Sequence, residues 1–194
     1  MRATKKERVE ITMNKYWVWL SRIYKIGAIN QKRLLETYKE PEKIWKLSKK
    51  ELAKNKFLTE NQINIILDKT YRENLAKYIE YMEKNKISLI SIKDEKYPEK
   101  LKNIYDPPVV LYVKGNINIL NKRSIAIVGS RNCSSYGEFA SRKFAYELAK
   151  NNIIVISGLA RGIDINAHIG TLKIENSTIT VLRFWFGYSI SKWK

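Results

Sequence analysis

The sequence predicts an α/β protein in which a parallel sheet follows an N-terminal helical region. Up to residue 87, apolar side chains recur at helical spacing, as at Ile63, Ile66 and Leu67. Beyond that point, short runs of β-branched and apolar residues alternate with segments of helix length. This alternation favours right-handed βαβ units and a parallel sheet. We therefore predict a helical domain over residues 1–87 and an α/β domain over residues 88–182.

The helical region opens with an apolar segment, Tyr16–Tyr24, that is predicted to form a buried helix. A second helix is predicted over Asn30–Tyr38, with Asn30 as its N-cap. The two helices flank a short turn at Gly27, which is typical of a helix-hairpin-helix element whose turn amides hold a DNA backbone. Any helical hairpin can place a glycine at its corner, so DNA contact and a plain connection both stay open. Two capping boxes, Ser48-x-x-Glu51 and Thr59-x-x-Gln62, predict further helix starts. The helix that begins at the second box is expected to continue through Met82.

Five strands and two longer helices are predicted in the α/β domain. The strands are Ile87–Ile92, Val109–Val113, Ser124–Val128, Ile153–Ile156 and Thr178–Leu182, and the helices are Gly137–Lys150 and Ile163–Lys173. Ligands of such sheets bind beyond the carboxyl ends of the strands. We therefore expect a ligand near the segments that follow the third and fourth strands.

Both of those segments contain glycine and arginine. VGSRNCSSYG (Val128–Gly137) carries Arg131, and ISGLARGIDINAH (Ile156–His168) carries Arg161. Glycine permits close backbone approach, helix N-termini attract anions, and guanidinium groups bind phosphate in a bidentate manner. Only 10 of the 37 basic residues are arginine, yet each segment has one. The two segments together predict a polyanion site, although glycines end strands in many proteins and a surface arginine alone indicates little.

The composition favours an acidic partner. The net charge is +18 and is spread over both parts of the chain. Residues 1–87 hold 21 basic and 11 acidic side chains (net +10), and residues 88–194 hold 16 and 8 (net +8). Nucleic acid or a membrane surface would suit this charge. The single Cys133 excludes an intramolecular disulfide and a cysteine-based zinc cluster. No apolar run is long enough to span a membrane and the N-terminus lacks a signal-peptide core, so we expect a cytoplasmic protein without a membrane partner.

Asp164 and His168 lie four residues apart, on one face of the helix that follows the second segment. They could form an acid/base pair, or Asp164 could cap the helix while His168 stabilises the loop. The second interpretation is favoured, since the sequence offers no nucleophile, metal cluster or suitably spaced second carboxylate. No G-x-x-x-x-G-K-[ST] motif is present, which argues against ATP hydrolysis. We expect a protein that is not an enzyme and that needs neither a cofactor nor a metal.

Three motifs follow one another along the chain: YPEKLKNIYDPPVVLYVKGN (Tyr97–Asn116), IAIVGSRNCSSYG (Ile125–Gly137) and SGLARGIDINAHIGTL (Ser157–Leu172). In this order they resemble the DprA/Smf family of DNA-processing proteins. The resemblance implies an extended Rossmann fold behind a SAM-like helical domain, with no established catalysis. It also implies a homodimer that binds incoming single-stranded DNA, protects it and loads the RecA recombinase onto it during natural transformation. Arg131 and Arg161 would contact the DNA backbone, in a pocket shaped by Gly129, Ser130, Ser157, Gly158 and Gly162.

The resemblance ends after Leu182. There the family pattern continues with a glycine-rich turn and further elements, whereas this chain reads RFWFGYSISKWK over residues 183–194. A frameshift or premature end is the expectation, and an aromatic terminal strand is the alternative. The sheet would then be incomplete on its C-terminal side, with self-association and RecA contact in doubt and function impaired.

Two other functional hypotheses stay open at this stage. One is a nucleotide-binding enzyme of a related fold, such as a phosphoribohydrolase, although the P-G-G-x-G-T loop typical of those enzymes is absent. The other is a truncated remnant without function.

Overall fold

The computed structural model describes residues 15–182, and the predicted aromatic tail at residues 183–194 lies outside them. The chain divides into two compact units, Met1–Ile117 and Asn118–Lys194. The first unit therefore includes two strands that the sequence analysis placed in the second domain. The predicted domain assignment, with its boundary between residues 87 and 88, stays a prediction.

Short helices come first in the described part of the first unit. Before the first strand, the α-helices are residues 15–22 (α1), Ala28–Tyr38 (α2), Pro41–Trp45 (α3), Lys49–Leu52 (α4), Glu60–Leu67 (α5) and Leu75–Lys84 (α6). The predicted buried helix is confirmed, because Val18, Trp19 and Leu20 of α1 are fully buried. Within the described residues, no helix is both long enough and apolar enough to cross a membrane.

Both predicted capping boxes form. Ser48 Oγ accepts from the Glu51 amide while Glu51 Oε2 accepts from the Ser48 amide, at 3.3 and 2.8 Å. Thr59 and Gln62 exchange the equivalent bonds at 3.2 and 3.0 Å. Each box satisfies two helix-terminal donors, which explains why such short helices begin at these residues.

Two details of the helical prediction are wrong. Helix α2 starts before Asn30, because Gly27 takes a φ of +77° and serves as the N-cap. The side-chain amide of Asn30 instead donates from Nδ2 to Gln62 Oε1 on α5, at 3.4 Å. Helix α5 ends at Leu67 rather than continuing, because Asp68 becomes extended and its carboxylate accepts from the Thr70 amide at 2.8 Å.

The first two strands pair with each other and not with the parallel sheet. Ile87–Ser91 (β1) and Val110–Lys114 (β2) form an antiparallel pair in which Leu89 lies opposite Tyr112. The connection between them holds only one helix, Glu99–Lys102 (α7), of four residues. A parallel crossover needs a helix long enough to cover the sheet, so this short connection favours antiparallel pairing.

The second unit is a β–α–β–α–β arrangement, as predicted. Ser124–Ala126 (β3), Ile154–Ser157 (β4) and Thr178–Thr180 (β5) form a parallel sheet in that order, joined by Ser135–Lys150 (α8) and Ile163–Thr171 (α9). Its core contains Ala145 of α8, Val155 of β4 and Ala167 of α9. A Cβ atom on Gly170 would collide with the Arg142 carbonyl, so this glycine lets α8 and α9 pack closely. The two helices thus position the segments that follow β3 and β4.

Candidate nucleic-acid interface

The two glycine-containing segments leave neighbouring strands at the same edge of the sheet. We call residues 127–134, between β3 and α8, loop 1, and residues 158–162, between β4 and α9, loop 2. Because β3 and β4 are parallel neighbours, their carboxyl ends meet at that edge. A hydrogen bond from the Ile163 amide to the Ser130 carbonyl, at 3.2 Å, links loop 1 to the first residue of α9, directly after loop 2. The structure therefore brings together the two loops that the sequence singled out.

Glycines allow the loops to touch. Gly162 has a φ of +82°, and a Cβ atom there would collide with the Ser130 carbonyl and lie 2.7 Å from the Arg131 carbonyl. A Cβ atom on Gly129 would lie 2.6 Å from Cγ1 of Ile163. Loop 2 thus packs against loop 1 at Gly162, and loop 1 packs against the start of α9 at Gly129, both at positions where a larger residue does not fit.

Two serines shape loop 1. Ser130 Oγ accepts from the Asn132 amide at 3.1 Å and turns the chain around Arg131. Ser134 is the N-cap of α8, where its hydroxyl accepts from the Gly137 amide at 3.2 Å. This local folding follows from the Ser-x-x-Gly spacing and presents Arg131 just before a helix N-terminus.

The arginines of both loops are exposed and available. Arg131 and Arg161 are solvent-exposed; Arg161 directly precedes Gly162, and the Arg131 carbonyl lies against Gly162. The three ion pairs within residues 15–182 lie in the first unit and involve Glu40, Glu42 and Glu60. Within the described chain, no carboxylate therefore neutralises either guanidinium. Two free guanidiniums at one sheet edge, beside two helix N-termini, suit a ligand with several phosphates.

Buried polar side chains support loop 2 from below. Ser157 is buried, and its hydroxyl donates to the Ile127 carbonyl at 2.7 Å, which joins the ends of β3 and β4. Asp164 is also buried, and its Oδ2 accepts from the Gly158 amide at 3.1 Å. The expected capping role of Asp164 is wrong in detail, because Gly162 is the N-cap of α9 and receives no side-chain cap. Asp164 instead connects the first residue of loop 2 to α9.

His168 bonds to the sheet and not to loop 2. Its Nδ1 lies 2.7 Å from Thr178 Oγ1, and that hydroxyl already donates to the Val155 carbonyl at 2.9 Å. A proton on Nδ1 satisfies all three of these groups, and Nε2 can then accept from Thr180 Oγ1 at 3.4 Å. Burial lowers the pKa of His168, outweighing the opposite effects of the Ser157 backbone and the Asp164 carboxylate. A buried, neutral imidazole favours a stabilising role over the acid/base alternative.

The sequence reasoning missed Asn166, a buried residue of α9 that stabilises loop 2. Its Nδ2 donates to the Gly162 carbonyl at 2.8 Å, while its Oδ1 accepts from Arg142 Nε of α8 at 2.6 Å. The available signal was its spacing of four residues from Gly162, at which an amide side chain can bond back to the backbone. Within residues 15–182, no group of three or more His, Cys, Asp or Glu side chains could hold a metal ion.

Comparison with known proteins identifies relatives. Residues 88–189 match the family model described as DNA recombination-mediator protein A. DNA processing protein DprA of Bacillus subtilis is 41% identical over 97 residues, which is 50% of this chain and 33% of that protein. DprA of Streptococcus pneumoniae is 42% identical over 100 residues, which is 52% of this chain and 35% of that protein. The chain thus spans about a third of these curated relatives.

A solved structure confirms the predicted fold class. The X-ray structure of DprA from Streptococcus pneumoniae matches with a TM-score of 0.67 and 28% sequence identity, over 94% of this chain and 58% of that one. The described residues accordingly combine a helical region with a Rossmann-like parallel sheet.

The packing of Gly162 predicts a stability difference between two glycine substitutions. We expect Gly162→Ala to lower the free energy of unfolding by about 1–3 kcal/mol more than Gly27→Ala, because the added methyl group collides with loop 1. Gly27 is a matched control, since its φ is also positive (+77°) but no atom lies within 4 Å of its Cβ position. Urea unfolding measures both changes, and equal losses would contradict tight contact between the loops.

The buried imidazole predicts a pH dependence of stability. The pKa of His168 in the folded state lies below its ordinary value of 6.5, so its contribution is complete above pH 6.5 and is lost as the pH falls. We expect the melting temperature to decrease as the pH falls below about 6.5. His168→Asn, which keeps a donor near the Nδ1 position, should flatten this dependence. His168 is the single histidine of the chain, so an equally steep dependence in the variant would contradict the assignment.

Proposed function

We propose, since the chain belongs to the family of DNA recombination-mediator protein A (DprA), that it binds single-stranded DNA through phosphate contacts made by loops 1 and 2. The observation that carries this proposal is the junction between the loops. At Gly162 and Ser130 the loop backbones touch, and Arg131 and Arg161 flank this junction with exposed guanidiniums. Such an arrangement binds a polyanion without reading base sequence.

The proposed site includes the residues that hold the two arginines. Gly129 and Gly162 permit the close contact of the loops, and Ser130 turns loop 1 at Arg131. Ser157 and Gly158 fix the start of loop 2 on the sheet and on α9. A rigid backbone of this kind lowers the entropy cost of ordering a phosphate contact, which supports a binding role for the loops.

Family membership also supports a wider proposal about partners. We propose that the protein protects incoming DNA and delivers it to the RecA recombinase in natural transformation, as a cytoplasmic homodimer. Relatives named DNA processing protein DprA support the DNA-processing part. The net charge of +18 supports attraction to nucleic acid by either unit.

A phosphoribohydrolase of related fold is the less favoured candidate. Asp164 accepts a hydrogen bond from Gly158 and His168 bonds to Thr178, and both side chains are buried. Neither group faces solvent where a nucleotide could reach it. The geometry therefore favours a binding function over hydrolysis by this pair.

Charge removal on the loops tests the proposed function. We expect Arg131→Ala and Arg161→Ala each to weaken binding of a labelled oligo-dT by about 1–3 kcal/mol, the scale of a lost charge-assisted contact. Each substitution should also reduce the slope of log affinity against log salt by about 0.7, since each phosphate contact releases counterions. Fluorescence anisotropy at increasing salt concentrations measures both quantities.

Arg123→Ala is the matched control for these substitutions. Arg123 is exposed, and its substitution by alanine removes the same charge. Arg123 precedes β3 and therefore lies at the amino end of the sheet. It should change affinity much less than either loop arginine. Equal losses at all three positions would mean that net charge alone binds DNA and would contradict the site.

A further inference from the structure

Helix α8 carries an exposed face made of three aromatic and two basic side chains. The residues on this face are spaced by three and four positions along the helix: Tyr136, Phe139, Lys143, Tyr146 and Lys150. At 3.6 residues per turn they fall within an arc of about 80°. We call these five residues the α8 outer face.

The aromatic residues of this face do not belong to the protein core. Tyr136 is 77% exposed and Phe139 is 61% exposed. The side of α8 that packs inward is instead made of small residues, among them Ala145 and Ala149, which are buried. Packing of the second unit therefore gives no reason for large aromatic side chains on the outer face.

Each lysine of the α8 outer face lies beside an aromatic ring. Lys143 Nζ is 5.9 Å from the centre of the Phe139 ring, and Lys150 Nζ is 5.9 Å from the centre of the Tyr146 ring. Glu147 flanks the face, and the two lysines outweigh its charge. A surface of this kind offers ring faces for stacking and ammonium groups for phosphate in repeated pairs. Single-stranded nucleic acid presents the complementary groups, unstacked bases joined by phosphates.

The α8 outer face continues directly from loop 1. Helix α8 begins at Ser135, next to the N-cap Ser134 and four residues after Arg131. Tyr136 lies in the first turn of the helix, and Lys150 is its last residue. A strand whose phosphate is held by Arg131 would thus meet a stacking surface as it leaves the loop.

We propose that the α8 outer face is a base-stacking track for the same single strand whose phosphates loops 1 and 2 hold. This inference rests on the proposed function and adds a second class of contact to it. Loops 1 and 2 contribute charge and position, whereas the track contributes stacking that any base can satisfy. Stacking on the track lets the protein distinguish a strand with bases from a bare sugar-phosphate chain.

The test compares the binding of two oligonucleotides of equal length, oligo-dT and a fully abasic strand, to the whole 194-residue chain. We expect Phe139→Ala to weaken oligo-dT binding by about 5-fold or more and to leave abasic binding nearly unchanged. Phe139→Leu should behave in the same way, because it keeps apolar bulk but removes the ring. Phe144→Ala is the matched control, since Phe144 is 67% exposed on the same helix but is rotated by about 140° from Phe139.

The arginine variants separate a failure of this inference from a failure of the proposed function. Arg131→Ala should weaken binding of both oligonucleotides, because both carry phosphate. Suppose that it does so and that Phe139→Ala, Phe139→Leu and Phe144→Ala all bind oligo-dT with the same affinity. The stacking track is then refuted, and the phosphate site stands. An equal loss on both oligonucleotides in Phe139→Ala also refutes stacking. If the unmodified protein binds neither oligonucleotide, both the proposed function and this inference fall.

Discussion

The contact between the Gly162 backbone and the carbonyl of Ser130 determines the geometry of the candidate site. Ile163 donates a hydrogen bond to that same carbonyl, so one peptide group of loop 1 holds the start of α9. Without this contact, Arg131 and Arg161 would lie on two independent loops, and each would have to be ordered separately upon binding. The junction places them on one backbone unit that the parallel pairing of β3 and β4 already fixes. The proposed phosphate site is thus a consequence of sheet topology together with one close backbone approach.

Polar side chains buried below the loops hold this arrangement in place. Asp164 accepts a hydrogen bond from the Gly158 amide, and Asn166 donates one to the Gly162 carbonyl. His168 connects α9 to β5 through Thr178. All three lie on α9 at intervals of two residues, and all are buried. Burial of polar groups is favourable only when they are hydrogen-bonded, so these bonds favour one relative position of helix, loop and strand. The charge of Asp164 is used inside the fold, which leaves the positive charge of the two arginines to face solvent.

Local sequence signals predicted the elements whose structure depends on nearby residues. The capping boxes at Ser48 and Thr59 formed because each involves residues only three positions apart. The parallel strands and the two longer helices of the second unit followed from hydrophobic periodicity in the same way. Both glycine loops were also placed correctly, since they follow directly from the strand–loop–helix order.

Contacts between distant residues explain what the sequence left undecided. The antiparallel pairing of β1 with β2 depends on partners 19 to 27 residues away, and Asn30 bonds to Gln62 on another helix. Asp164 binds Gly158 rather than the start of its own helix, a choice that the folded loop makes. The α8 outer face illustrates the same limit. The spacing of its residues is visible in the sequence, but their exposure is not. Only the packing of Ala145 against Val155 shows which side of the helix faces solvent.

The central claim is that one phosphate-binding surface is formed jointly by loops 1 and 2. Titration of the isotope-labelled protein with a short oligo-dT, followed by two-dimensional amide NMR, tests it most directly. The account predicts that the largest shift changes occur together at Gly129–Arg131 and Gly158–Gly162, with the same dependence on DNA concentration. Unchanged loop amides, with the largest changes at the helical turn around Gly27, would contradict it.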